Sequence, residues 1–230
     1  MTNHTVQYHT INQLLNVVGE EGQEKAFHTF YRKDTPQRIP ILYPFRTDYY
    51  IFLFMLEGEL CLKLNLLDYV IKKNNLLIME PNVVRQFQQV SEDCRFIGIG
   101  FTPSFLSATG IHKNDLEVFE VLSSRQNPLF QLEPLEAEAM LHQFMFLHLK
   151  REEAINHHYL ETMLMHSFSA LLYEVAYLFR VDRRVNEIKL TRKEELTIQF
   201  LKLLPLHFKE ELITKVKSFC YLCYGKSRIT

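Results

Sequence analysis

Residues 26–102 show short strand patterns at regular intervals, and this spacing constrains the fold more than any other feature of the sequence. Tyr49–Leu56 is continuously apolar, as expected of a strand that is covered on both faces. After a turn signal at Glu57-Gly58, Glu59–Asn65 alternates, with Leu60, Leu62 and Leu64 on one face. No stripe of helical period runs through the region, so an antiparallel barrel or sandwich is predicted.

The other strands of this region are bounded by turn-forming residues. Turns are expected at Lys73–Asn75 and at Glu80-Pro81-Asn82. Further strands are predicted at Phe27–Arg32, Tyr69–Lys72, Leu76–Met79, Arg85–Val90 and Arg95–Phe101. Residues 1–25 form either a loose arm or a short helix capped by Thr10, with Ile11, Leu14, Leu15 and Val18 on one face.

Residues 103–189 change to helical periodicity. Short helices are predicted at Pro103–Thr109 and Asp115–Leu122, and longer ones from Pro134 to about Lys150 and over Tyr159–Phe179. The main stripe of the last helix contains Leu160, Leu164, Phe168, Leu171 and Val175. Its flank is also apolar, with Met163, Met165, Leu172, Ala176 and Phe179. A stripe this wide predicts a homodimer interface, and the alternative is a single contact within one chain.

Composition and charge indicate a globular chain. Of 230 residues, 47% are hydrophobic and 23% are charged, which is enough apolar material for a core. The net charge is −1, but residues 190–230 hold eight Lys/Arg and four Glu, a balance of +4. The polar N-terminus, the absence of an apolar run of membrane length and four scattered cysteines predict a cytoplasmic protein without a membrane segment.

The residues required by metal and phosphate chemistry are missing from the strand region. No His lies between Thr29 and Ile111, which argues against a metal-dependent barrel enzyme. His157, His158 and Glu161 at a helix start are more typical of solvated side chains, and Cys220 and Cys223 form only half of a zinc pattern. The seven glycines do not form a phosphate loop. We therefore expect no enzyme activity, no cofactor and no metal.

The order of these segments resembles the AraC-type (AraC/XylS) transcription regulators. The similarity rests on Ile51–Asn65, Tyr69–Phe87 and Phe96–Phe101, followed by two helices and by Leu190–Glu211. It implies a cupin-like sensor barrel, a helical dimer interface, a small-molecule effector, and DNA contact through a C-terminal domain with two helix-turn-helix units. Leu190–Glu211 resembles the linker and first helix of that domain.

The predicted fold class is therefore α+β, with an antiparallel cupin-like β-barrel followed by helices and a partial all-α C-terminal domain. The regions are an arm (1–25), a sensor barrel (26–110), a helical dimerisation segment (111–185), and a partial helix-turn-helix domain with an unrelated tail (186–230).

The candidate ligand pocket is formed by side chains on the strands: Tyr50, Phe52, Phe54, Arg85 and Phe87. At the position of Arg85, the family that this sequence resembles often has His. Its planar donor fork suits a carboxylate ligand, although pairing with a surface acid is the alternative. Gly98 and Gly100 share one strand face, where they either leave room for a ligand or mark a bulge or close packing.

The resemblance ends at Glu211. Pro205 interrupts the preceding helix, and no second helix, turn or recognition helix can be matched in Leu212–Thr230. This basic and aromatic tail is either a nucleic-acid contact or a foreign tail from a frameshifted or truncated gene. The DNA-reading domain is therefore expected to be incomplete. Alternatives are a stand-alone small-molecule-binding cupin and a partner that heterodimerises with a full-length regulator.

We expect the purified 230-residue chain to dimerise without binding DNA tightly. Specific DNA-binding proteins reach dissociation constants of about 10⁻⁸–10⁻¹¹ M through base-reading elements that this sequence does not match. A gel-shift experiment should show no sequence-specific, submicromolar binding, and a tight, competitor-resistant operator complex would contradict the expectation.

Overall fold

The fold is taken from a computed structural model of the chain. It describes residues 6–11, 13, 26–32, 41, 43–65, 67–111, 128–152 and 158–185, without the side chains of residues 32, 152 and 179–185. The chain divides into two compact units, Met1–Arg183 and Arg184–Thr230, and the architecture that follows is that of the first.

Within these residues the unit contains ten strands and three helices. The strands are β1 (Gln7–His9), β2 (Phe27–Arg32), β3 (Phe45–Thr47), β4 (Tyr50–Glu57), β5 (Glu59–Leu64), β6 (Leu67–Lys72), β7 (Asn75–Met79), β8 (Arg85–Val90), β9 (Arg95–Phe101) and β10 (Leu129–Gln131). The helices are α1 (Pro103–Ala108), α2 (Pro134–Glu152) and α3 (Leu160–Val185). No described helix is both long enough and apolar enough to cross a membrane.

The strands form two five-stranded sheets. The front sheet has the order β1-β3-β8-β5-β6, and the central sheet has the order β10-β7-β4-β9-β2. Neighbouring strands are antiparallel, except that β1 runs parallel to β3. The predicted α+β fold with an antiparallel barrel or sandwich is confirmed.

The central sheet is buried on both faces, and β4 shows this most clearly. Ile51, Leu53 and Met55 point into a cluster shared with the front sheet, which we call the interior cluster. Phe52 and Phe54, which alternate with them, join a second cluster formed with the helices, the helix-side cluster. The double burial predicted for this strand is confirmed. In β5 the predicted alternation is also present, because only one face of the front sheet is covered.

The apolar stripe of α3 packs within its own chain. Leu160, Leu164, Phe168, Leu171 and Val175 all lie in the helix-side cluster. Leu172 and Ala176, from the flank, belong to the same cluster. Packing against the central sheet and α2 therefore buries the main stripe and part of its flank, whereas Met163 and Met165 are only half-buried and the side chain of Phe179 lies outside the described residues. The surface that α3 presents outward is different and includes Tyr173 and Tyr177.

Three short strands were not predicted. β1 and β3 have three residues each, and β10 lies in a stretch interpreted as helical. The attachment of β10 to the end of β7 includes a hydrogen bond from the Asn75 side-chain amide to Gln131 Oε1 at 2.6 Å. Capping by Thr10 is confirmed by reciprocal hydrogen bonds with Gln13. The expectations for Leu14, Leu15, Val18, Asp115–Leu122, His157, Leu190–Glu211, the tail and Cys220/Cys223 lie outside the described residues.

The turns between strands use the residues that the sequence indicates. Gly58 has a φ of +73°, and an added Cβ there would overlap the backbone of Cys94. Asn65, Asn74 and Asn82 adopt positive φ, which Asn tolerates better than most residues. Asn65 joins the paired strands β5 and β6, whereas Gly58, Asn74 and Asn82 lie where the chain passes from one sheet to the other.

Phe168→Ala tests whether α3 is primarily a core helix. The Phe168 ring is 0% exposed and lies 4.6 Å from the Phe101 ring, centroid to centroid. Truncation should leave a cavity and lower the free energy of unfolding by about 3–5 kcal/mol. Tyr177→Ala, on the exposed side of the same helix, is the matched control and should cost much less. Chemical denaturation measures both, and equal effects would contradict the assignment.

Candidate ligand site

Arg85 lies in the interior of the sandwich, not on its surface. It is the first residue of β8 and pairs with Phe45 on β3 and Leu64 on β5. Since paired residues point to the same side of a sheet, all three side chains face inward. Arg85 is only 1% exposed. The alternative that Arg85 pairs with a surface acid is therefore wrong.

The guanidinium group of Arg85 is incompletely paired. Its Nη2 donates a hydrogen bond to the carbonyl oxygen of Glu80 at 2.9 Å. Nε and Nη1 are buried and have no hydrogen-bond partner in the part of the chain that the structure describes. The ion pairs seen among those residues do not include Arg85. A buried charge without a counter-charge costs several kcal/mol, so this group requires an explanation.

The group nevertheless stays charged at neutral pH. Burial lowers the pKa of Arg85 to about 10, opposed by the neighbouring Tyr49 phenol. Burial raises the pKa of Tyr49 far above its usual value, while Arg85 lowers it and Asp48 raises it further. At pH 7 the interior therefore contains a permanent cation beside a neutral phenol.

The surroundings of Arg85 are mainly aromatic and aliphatic. Its Cζ lies 5.9 Å from the centroid of the Phe45 ring, and the Phe87 ring lies 6.1 Å from the same centroid. Tyr49 is buried in the interior cluster, where Ile11 from the N-terminal segment also packs. The Thr47 hydroxyl donates to the Tyr49 carbonyl at 3.1 Å and holds the entry to β4. A hydrogen-bond acceptor beside Arg85 would meet charged donors among mainly apolar side chains.

The structure brings together only two of the five predicted pocket residues. Arg85 and Phe87 face the interior, while Tyr50, Phe52 and Phe54 face the helices. Tyr50 and Phe52 pack on Phe101, with ring centroids 5.1 and 5.2 Å away. Because β4 is apolar on both faces, its sequence does not show which set points inward. Tyr49 and Phe45 are the interior residues that sequence reasoning missed.

Of the two glycines of β9, Gly98 marks close packing and Gly100 does not. Gly98 pairs with Phe30 of β2, and an added Cβ at Gly98 would overlap the Phe30 ring. Gly100 faces Ile11 and Tyr49, where an added Cβ would be at 3.4 Å, an ordinary contact distance. The space above Gly98 is therefore filled by an aromatic ring.

No group of three potential metal ligands occurs among the described residues.

Comparisons with known proteins return similar structures only. No family model matches the chain, and no curated relative does. ToxT from Vibrio cholerae is 15% identical with a TM-score of 0.40, over 85% of this chain and 70% of ToxT. The AraC-like transcriptional activator CuxR is 9% identical with a TM-score of 0.38, over 86% of this chain and 62% of CuxR. The EutQ protein of Clostridium difficile is 17% identical with a TM-score of 0.23, over 26% and 42% of the respective chains.

Gly98→Ala and Gly100→Ala should distinguish a strand position that packs closely on a neighbouring ring from one at which a methyl group fits. At Gly98 the methyl group must displace the Phe30 ring, so we expect a loss of about 1–3 kcal/mol in the free energy of unfolding. At Gly100 the methyl group fits, and the loss should be smaller. Equilibrium unfolding of the two variants measures the difference. A Gly98→Ala variant as stable as the parent would show that the ring is not held against the strand.

Proposed function

We propose that this chain is the ligand-sensing and dimerisation portion of a transcription regulator of the AraC type. The sequence resemblance across the strands and helices supports the proposal. One structural observation carries it: β4 contributes to the interior cluster with one set of side chains and to the helix-side cluster with the other. A ligand in the interior would therefore act on the same strand that supports α2 and α3.

The proposed mechanism is a shift of population between arrangements of the barrel and helices. A ligand changes such an equilibrium only if it binds one arrangement more tightly than the other. Phe52 and Phe54 pack on Phe168 of α3 and Phe144 of α2, respectively. Movement of β4 would therefore disturb the support of both helices, because packed cores do not deform continuously. DNA would be contacted through the C-terminal domain implied by the resemblance.

Pairing of two copies is proposed to use the outward surface of α3. The five predicted interface residues are buried in the helix-side cluster, so they are not available to a second copy. Tyr173 and Tyr177, which are 48% and 60% exposed, lie one turn apart on the outward face. Tyr is enriched in interfaces because its ring is apolar and its hydroxyl still forms hydrogen bonds.

A reporter assay tests the proposal. The full chain is fused behind a monomeric DNA-binding domain that represses a reporter only when it is paired. The wild-type fusion should repress. The Tyr173→Glu/Tyr177→Glu variant should lose at least tenfold of that repression, because two charges are placed at the contact. Leu67→Glu, at a position 61% exposed on β6, is the control and should repress like wild type.

The sensing part is tested with the same fusion. A metabolite fraction that raises the unfolding midpoint of the purified chain should also change repression of the reporter. Absence of repression by a folded fusion, or a double variant that pairs normally, would contradict the pairing proposal. A fraction that stabilises the chain without changing repression would contradict the coupling.

A further inference from the structure

We propose that the sandwich interior binds an organic monocarboxylate with an apolar body, and that the Arg85 guanidinium holds its carboxylate. This inference deepens the proposed function, since it names the chemical class of the effector. It depends on the position and pairing of Arg85 and on the residues that surround it.

The first argument is the supply of donors. A guanidinium group has five N–H bonds and no acceptor. One of them is used by the Glu80 carbonyl, whereas Nε and Nη1 are fully buried without partners among the described residues. Their acceptor must enter the interior, and a carboxylate is the acceptor that forms short, charge-assisted hydrogen bonds with arginine.

The second argument is the balance of charge. No ion pair between Arg85 and an acidic side chain is seen among the described residues. The charge of Asp48 acts on the phenols of Tyr8 and Tyr49, and that of Glu80 acts on Tyr50. One cation in an apolar space is neutralised by one negative charge. A dianion such as a phosphate monoester would leave a net negative charge buried, at a further cost.

The third argument is the lining. Phe45, Leu64 and Tyr49 are nearly fully buried around Arg85, and Phe87 is partly buried beside Phe45. These side chains offer apolar surface and a neutral phenol. An aliphatic or aromatic body attached to the carboxylate would contact that surface, whereas a heavily hydroxylated body would leave polar groups unpaired.

The experiment compares carboxylates with their uncharged amides on the full chain. Hexanoate and benzoate are titrated by calorimetry and by thermal unfolding, with hexanamide and benzamide as isosteric controls and sodium chloride as the inorganic anion. We expect both carboxylates to bind and to raise the unfolding midpoint. The amides should bind at least tenfold more weakly, because the charge-assisted hydrogen bonds are lost.

Variants of Arg85 provide the second comparison. Arg85→Met removes the buried charge at similar volume. It should raise the unfolding midpoint of the ligand-free chain by about 3 °C or more and should abolish the stabilisation by carboxylates. Arg85→Lys keeps a charge without the fork and should bind carboxylates more weakly than wild type. Arg95→Met is the matched control, because Arg95 is a surface residue with a 54% exposed side chain that pairs with Glu57.

Three results would overturn the inference. The first is an equal effect of the amides or of chloride and of the carboxylates on the wild-type chain, a comparison that requires no variant. Arg85→Met can instead destabilise the ligand-free chain and still bind carboxylates, which would mean that the guanidinium already has a partner within the protein. Loss of carboxylate binding in Arg95→Met would show a nonspecific charge effect.

The outcome is separable from that of the proposed function. Carboxylate binding that requires Arg85 but does not change the fused reporter would support the site and contradict the regulator. Paired, effector-responsive repression without carboxylate binding would support the regulator and contradict the site.

Discussion

Burial of the central sheet on both faces is the constraint on which the rest of this structure depends. A strand such as β4, apolar on both faces, requires two covering layers. The front sheet covers one face and the helices cover the other, so the sandwich and the helical segment form one packed unit. Neither layer is a separate appendage, because each desolvates a face that would otherwise expose Phe, Leu and Ile side chains to water.

Much of this arrangement can be predicted from the sequence, and the failures have physical causes. β5 alternates because one of its faces is solvated, so its inward residues are evident. In β4 both faces are apolar, so the sequence does not show that Ile51 joins the interior cluster and Phe52 the helix-side cluster. β10 has three residues, too few for any period to be recognised.

The stripe of α3 shows a different limit. The width of an apolar surface on a helix indicates how much area is buried, but not which part of the protein or which second copy buries it. In α3 the cover is the central sheet together with α2, and the residues predicted for a dimer interface are in the core. Arg85 was ambiguous for a related reason. The sequence around an arginine in a strand does not show whether its side chain faces water or the interior. For Arg85, the pairing with Phe45 and Leu64 shows that it faces the interior.

The position of Arg85 would give the proposed sensing a physical basis. In the closed sandwich the guanidinium is desolvated with most of its donors unused, which disfavours that arrangement relative to any arrangement in which water reaches the group. An anion that binds only in the closed arrangement removes this penalty. The difference between its binding free energies to the two arrangements then sets how far it shifts the equilibrium between them. In this same structure β4 packs on α2 and α3 through Phe52 and Phe54. Relief of one unpaired charge in the interior would thus be transmitted, through a single strand, to the helices on the other face of the sheet.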